Sequence, residues 1–230
     1  MRSRDTLAAL LDLVLPRRCV ACGAPGAELC EPCFGGLRLL QGHVCGRCGA
    51  PRPRAGEESC RECRTRQLAF ASARAAAGYD EALRALVGAW KERGLRAALP
   101  LCSALVLDVV PRPAVDAVTW VPPDHDRALR RGHHPPAELA GVLGDLWGLP
   151  VLPLLVRRPG TRRQRGLARS DRQANVREAF RALPRTQAPP AVALVDDVYT
   201  TGATVSAAAA ALRAAGSTRV EVVTLARAVR

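Results

Sequence analysis

The sequence predicts an α/β fold: a parallel, doubly wound sheet with a small metal-binding module at its N-terminal side. Three observations predict it. Short apolar β-runs alternate with helix-forming stretches through the C-terminal two thirds of the chain, the pattern of strands joined by helical crossovers. Residues 192–204 read VALVDDVYTTGAT and continue as SAAAAALRAAG, which joins a strand, an acidic pair, a loop of hydroxyls and glycine, and a strong helix former. Eight of the nine cysteines fall between residues 19 and 63 as four C-x-x-C pairs.

The chain of 230 residues has room for one domain of ordinary size and one smaller. It is 48% hydrophobic but only 3% aromatic, so its core must be aliphatic. Lysine and arginine number 34 against 21 acids, a net charge of +13, and Lys91 is the only lysine. The arginine bias fits a GC-rich coding sequence in part; its functional reading is an anionic partner, a phosphorylated sugar, a nucleic acid or both. No run of about 20 uncharged apolar residues occurs, so no membrane insertion is expected. The opening MRSRDTLAALLDLVLPRRC has the length of a signal peptide, but Asp12 interrupts its apolar part and no small-residue cleavage site follows. It reads as a short amphipathic helix packed on a cytoplasmic protein.

The cysteine pairs are Cys19/Cys22, Cys30/Cys33, Cys45/Cys48 and Cys60/Cys63. Each forms a knuckle that offers two thiolates, and two knuckles complete a tetrahedral four-cysteine zinc site, so two structural zinc ions are expected within a module spanning residues 1–68. Gaps of seven residues after Cys22 and eleven after Cys48 favour sequential pairing. The alternative is a cross-brace joining Cys19/Cys22 to Cys45/Cys48. Disulfides or redox motifs are the non-metal reading, disfavoured without a secretion signal. His43 is a spare ligand that four cysteines make unnecessary, and Cys102 reads as a buried small apolar residue. The ribbons are either a structural cap or a nucleic-acid contact through Arg47, Arg52, Arg54, Arg61, Arg64 and Arg66. Their core is expected to be separate from that of residues 69–230, so that metal removal would leave the larger domain folded.

Residues 69–77 suit a strand or extended linker. Leu83, Leu86, Val87 and Trp90 recur at helical spacing in a helix over 80–94 that ends near Gly94. A second helix over 98–110 is stopped by Pro111 and Pro113. A β-run over 115–121 closes at Pro122 and Pro123. Arg127, Arg130, Arg131, Gly132, His133 and His134 cluster just before a helix over 137–147, in position to bind pyrophosphate. A strand over 151–156 follows. Residues 157–188 lack clear strand character and carry ten arginines against Asp171 and Glu178. Such a segment suits an arm that closes over pyrophosphate, a strip for single-stranded DNA, or a solvated linker with a short helix near 169–180. Strands over 191–195 and 219–226 complete the sheet.

In 192–204 the acidic pair Asp196 and Asp197 follows the apolar run at the carboxyl end of a strand, where open α/β sheets present ligand groups. Thr200, Thr201, Gly202, Ala203 and Thr204 then form a loop whose N–H groups, with the helix N-terminus, attract an anion. Two carboxylates beside a phosphate cradle suit a ligand with hydroxyls next to its phosphate, such as a ribose 5-phosphate. The stretch closely resembles the phosphoribosyl pyrophosphate (PRPP) signature of type I phosphoribosyltransferases: four apolar residues, two acids, two apolar residues, two hydroxyl residues, Gly, a small residue and a hydroxyl residue. Ala193 is the weakest apolar member. The fold class implied is a type I phosphoribosyltransferase-like parallel sheet over 69–230.

The order of pieces along the whole chain resembles the ComF family, phosphoribosyltransferase-fold proteins linked to competence for DNA transformation. The residues that carry it are the knuckles, YDEALRALVGAWKERG, VPPDHDRALRRGHH, QRGLARSDRQANVREAF and VALVDDVYTTGATVSAAAAALRAAG. The chain departs from the family after Arg131 and Gly132, where His133, His134 and Pro135 replace an aromatic, Asn and Gln. It also ends soon after the last strand, with little left to build a base-selecting hood.

The resemblance implies binding of PRPP with Mg2+, and transfer of its phosphoribosyl group to a nucleophile with release of pyrophosphate. Asp196 and Asp197 would orient the ribose, and residues 200–204 would hold the 5-phosphate. Arg127, Arg130 and Arg131 would hold pyrophosphate, with Arg162, Arg163 or Arg165 closing over it. The rival reading is a non-catalytic protein that binds PRPP or single-stranded DNA and partners a DNA-uptake helicase.

Overall fold

The computed structural model describes residues 17–52, 60–124, 132–158 and 179–229. The N-terminal amphipathic helix, Arg54, Arg127, Arg130, Arg131, Arg162, Arg163, Arg165 and the helix near 169–180 are expectations that lie outside them.

Short helices α1 (Glu31–Gly35) and α2 (Arg61–Arg64) belong to the cysteine module. The strands of the main sheet are β1 (Ser72–Gly78), β2 (Ala117–Trp120), β5 (Ala191–Tyr199) and β6 (Arg219–Arg227), hydrogen-bonded in the order β1-β6-β5-β2. Every pairing among them is parallel, and Val151 extends the sheet by a parallel bridge to Val118. Parallel strands demand crossovers, and helices supply them. Between β1 and β2 run α3 (Glu81–Arg93) and α4 (Leu99–Val109); α5 (Pro135–Trp147) follows β2, and α6 (Ala203–Ala214) joins β5 to β6.

Local sequence explains where these helices begin. Asp80 caps α3 by accepting a 2.9 Å hydrogen bond from the Leu83 amide. Pro135 and Pro136 occupy the first turn of α5, where their missing N–H groups cost nothing, so that helix starts two residues earlier than its apolar spacing suggests. Leu83, Leu86, Val87 and Trp90 are buried on one side of α3, each contributing about 1.5–3 kcal/mol on leaving water.

The two faces of the sheet carry separate clusters. Ala193 and Val195 of β5 face α3, α4 and α5. Val192 and Leu194 face α6 and the antiparallel pair β3 (Leu155–Arg157) and β4 (Phe180–Ala182). The short strand at Phe180 is invisible to pattern reading, because a three-residue strand holds too few positions to show alternation. It puts residues 159–178 in the connection between two antiparallel strands.

The cysteine module does not keep a separate core. Cys19, Leu29 and Leu37 join the cluster under α3 and α4, while Cys45, Cys48 and Cys63 join the cluster under α6. Its backbone also closes the open edge of β1. Leu40 N–H donates to Ala76 O at 2.9 Å, Gly78 N–H to Arg38 O at 2.8 Å, and Ala73 N–H to Arg47 O at 2.8 Å. Gly49, at φ +69°, lies so close that a Cβ there would sit 2.6 Å from Ala73 O. The expectation of independent cores is therefore corrected: few large apolar groups in the module lead it to borrow the sheet's. No described helix is long and apolar enough to cross a membrane.

Candidate functional site

Strand β5 continues to Tyr199, four residues past its expected end, so Asp196 and Asp197 lie within the strand. Alternation then sends the two carboxylates to opposite faces. Asp197 shares the face of Ala193 and Val195 and meets α3, where Lys91 forms a salt bridge with its Oδ2. Asp196 shares the face of Val192 and Leu194. Each also caps the backbone ahead of it: Asp196 Oδ1 accepts from Asp197 N–H at 2.9 Å, and Asp197 Oδ1 from Val198 N–H at 2.8 Å.

Both acids are buried, at 9% and 3% exposure. Burial and the neighbouring Asp197 charge push the Asp196 carboxyl up to about 8, against the pull of Lys91. At neutral pH Asp196 therefore holds a proton, while Lys91 makes its salt bridge to Asp197. Lys91 is a site residue that sequence reasoning misses; its one signal is being the sole lysine in a chain that otherwise uses arginine. A compact ammonium fits a one-point contact that a planar guanidinium does not.

The loop follows directly. Gly202 begins α6 at φ +75°, a left-handed conformation, and a Cβ on it would lie 2.2 Å from the Tyr199 hydroxyl. Only glycine serves there. Thr200, Thr201 and Thr204 are exposed at the amino end of the twelve-residue α6, with Ala203 half-buried between them. Thr201 Oγ1 accepts a 3.4 Å bond from Ala203 N–H. The structure thus brings Asp196, Asp197, Thr200, Thr201, Gly202, Ala203 and Thr204 to one edge of the sheet.

His134 lies close to Asp197 and Lys91, and His133 next to it meets Glu138. His134 Nε2 is 3.0 Å from Val121 O, at the end of β2, and its ring feels the charges of Asp197 and Lys91. Burial holds its imidazole below the usual range, so it is neutral near pH 7. Glu138 gathers the surrounding donors: Trp90 Nε1 donates to it at 3.2 Å, Arg96 Nε lies 3.6 Å away and His133 Nδ1 3.5 Å away.

The cysteines form two sets, Cys19, Cys22, Cys30 and Cys33, and Cys45, Cys48, Cys60 and Cys63. In each the four sulfurs lie within 4.8 Å of one another, which settles the pairing as sequential. Sulfur separations of 3.5 Å for Cys22–Cys30, 4.0 Å for Cys45–Cys63 and 3.6 Å for Cys48–Cys60 bracket the edge of about 3.8 Å of a tetrahedron with Zn–S arms of about 2.3 Å. These are two zinc-binding sites of four cysteines each. His43 belongs to neither set. Cys102 stands apart, its thiol pushed up to about 12 by burial, and is inert packing. Of the ribbon arginines, Arg47 is structural, donating to Leu68 O at 2.8 Å, while Arg64 is exposed.

Residues 10–64 match the family model of the double zinc ribbon domain. A curated relative, competence protein F of Haemophilus influenzae, is 39% identical over 116 residues, 49% of this chain and 51% of the relative. The chain thus spans about half the length of the curated relative it matches. Among solved structures, glutamine PRPP amidotransferase of B. subtilis, complexed with ADP and GMP, aligns over 55% of this chain and 25% of its own at 23% identity and a TM-score of 0.38. Orotate phosphoribosyltransferase from Aeropyrum pernix aligns over 61% and 62% at 21% identity and a TM-score of 0.35. The chain thus joins two four-cysteine sets, in a segment that matches the double zinc ribbon model, to a parallel α/β sheet, and over about half its length it is similar to a competence protein F.

Proposed function

We propose that the edge formed by the ends of β5 and β2 binds PRPP and transfers its phosphoribosyl group to a nucleophile, in a cytoplasmic protein that serves DNA uptake. One observation carries the reading: a buried acidic pair, joined to Lys91 by a salt bridge, runs directly into a glycine-capped helix start with exposed hydroxyls at Thr200, Thr201 and Thr204. A phosphate alone would not need the acids, and a metal would need more of them. Among the described residues, the only clusters suited to an ion are the two cysteine sets. Mg2+ bound with PRPP would spread the charge of the leaving pyrophosphate.

In this reading Thr200, Thr201 and Thr204, with the Gly202 and Ala203 amides, hold the 5-phosphate. Asp196 and Asp197 accept hydrogen bonds from the ribose hydroxyls. That role draws the proton off Asp196, since a carboxylate is the better acceptor. Arg127, Arg130 and Arg131 take the pyrophosphate, and Arg163 and Arg165, from the connection between β3 and β4, close over it and exclude water. The transition state carries positive charge at the ribose anomeric carbon, and departing pyrophosphate is stabilised by the arginines.

The test is pyrophosphate release from PRPP–Mg2+ in a screen of bases and amines as acceptors. Acceptor-dependent release that disappears in Asp196→Asn/Asp197→Asn supports transfer. PRPP binding without release for any acceptor favours the rival, a binding partner of a DNA-uptake helicase. The replacement of amide residues by His134 and Pro135 is the observation on that rival's side.

A further inference from the structure

We propose that Arg227 is a positioning residue that ties the second four-cysteine centre to the phosphate loop through Tyr199, so that metal held by Cys45, Cys48, Cys60 and Cys63 sets the loop's geometry and its affinity for an anion. The inference rests on the phosphoribosyl reading for the identity of the anion, but not for the coupling itself.

Arg227 ends β6 and pairs in register with Tyr199 at the end of β5. It is 5% exposed, a burial that a guanidinium tolerates only with its charge and donors engaged. Its Nη1 donates to Cys48 O at 2.6 Å and its Nη2 to Cys48 Sγ at 3.4 Å, while Nε has no partner among the described residues. Its remaining contact is a ring: the guanidinium carbon lies 4.3 Å from the Tyr199 centroid. Among the described residues no carboxylate forms a salt bridge with it. The opposite charge within reach is that of the second cysteine set, whose four thiolates around a divalent ion carry a formal charge of about −2.

Tyr199 passes this on. One side of its ring takes Arg227, Phe70 meets it edge-on at 6.2 Å, and its hydroxyl fills the space where a Gly202 side chain would start. The ring is buried and has no second place to go. A strut beside it has the same origin: Ala69 N–H, just beyond the second ribbon, donates to Ser206 Oγ in the first turn of α6 at 3.1 Å. The first cysteine set packs under α3 and α4, on the other face of the sheet from this path.

Coupling between two sites is reciprocal. A ligand on the loop must hold metal in the second site, and metal there must hold the loop. The test uses the full chain. Hydrogen exchange over residues 198–206 is followed in the wild type, in Cys60→Ser/Cys63→Ser, in Cys22→Ser/Cys30→Ser and in Arg227→Met. Zinc loss to a chromogenic chelator is followed with and without PRPP–Mg2+. Emptying the second site should raise exchange in the loop at least tenfold, and emptying the first should change it less than twofold. Arg227→Met, with both ions still bound, should raise exchange in the same amides and weaken PRPP at least tenfold. Arg227→Lys, which restores charge without the two-point grip, should recover part of each. PRPP–Mg2+ should slow the loss of one ion of the two in the wild type, and of neither in Arg227→Met.

Wild-type loop exchange in Arg227→Met, or exchange raised evenly through β5, β6 and the loop, would overturn the proposal. If Cys60→Ser/Cys63→Ser does not fold, Arg227→Met decides, since it spares every ligand. A wild type that fails to bind PRPP removes the phosphoribosyl reading, while the exchange comparison still decides the coupling.

Discussion

Lys91, in the last turn of α3, forms a salt bridge with Asp197 Oδ2 in the middle of the sheet's edge, and so sets the charge of the whole acidic pair. Two carboxylates in adjacent strand positions, both buried, would otherwise be hard to maintain beside each other or beside a phosphate. Lys91→Met is expected to lower stability by about 2–3 kcal/mol. That is below the figure for a fully buried pair, because the Lys91 side chain is 31% exposed. Urea denaturation measures it. Lys91→Arg should recover only part, for want of room for a planar fork.

The proton on Asp196 has a signature in pH. Its carboxyl rises from an ordinary 3.8 to about 8 in the folded chain, so between those values the folded state binds more protons than the unfolded one. Stability therefore falls as pH rises through that window, by up to about 1.4 kcal/mol per unit from this group, and the loss levels off above the folded value. Asp196→Asn should flatten the slope between about pH 5 and pH 8 and be the more stable chain near pH 9. Denaturation curves across that range check it.

Gly202→Ala should be costly for two separate reasons: a left-handed backbone, at about 1–2 kcal/mol, and a collision with Tyr199. Anion affinity at the loop is expected to fall more than tenfold. Pairing the mutation with Tyr199→Leu should relieve the collision but not the backbone cost, and recover only part of the stability.

The zinc module should unfold with the sheet rather than before it. Native mass spectrometry is expected to find two zinc ions per chain. Chelation should lower the melting temperature of the whole chain in one transition, because the second cysteine set sits in the same cluster as Phe70, Tyr199 and Val205. A two-step melt, with residues 69–230 holding their native midpoint, would contradict the shared core.

Much of this is legible in the sequence, and the reasons differ by element. The cysteine spacing points to the two zinc sites, and the alternation of apolar runs points to the parallel sheet. The turn at Gly202 is plain as a hydroxyl- and glycine-rich junction of strand and helix, because few residue types suit such a turn. What stays hidden depends on contacts distant in sequence. Lys91 stands 106 residues before Asp197, and Arg227 stands 179 residues after Cys48. No local pattern encodes either meeting. The extension of β5 through the acidic pair escapes a local reading because charged residues seldom end a buried strand without a partner such as Lys91.

The charge of +13 makes a prediction for nucleic acid. Single-stranded DNA should bind with a log–log salt slope of about −0.7 per contacted phosphate, with weak sequence preference. Trp90 and Tyr199 are buried and cannot stack bases. Arg162, Arg163 and Arg165 to Ala should flatten the slope by about two units if that arm is the contact; Arg52, Arg54, Arg61 and Arg64 to Ala should do so if the ribbons are.

Calorimetric titration of PRPP–Mg2+ into the wild type and into Asp196→Asn/Asp197→Asn tests the central claim most directly. Loss of two charged acceptors, worth about 1.5–3 kcal/mol each, should weaken binding by well over tenfold while inorganic phosphate, which touches only the loop, binds both proteins alike. Equal PRPP affinity in the two proteins, or no binding to the wild type, would contradict the account.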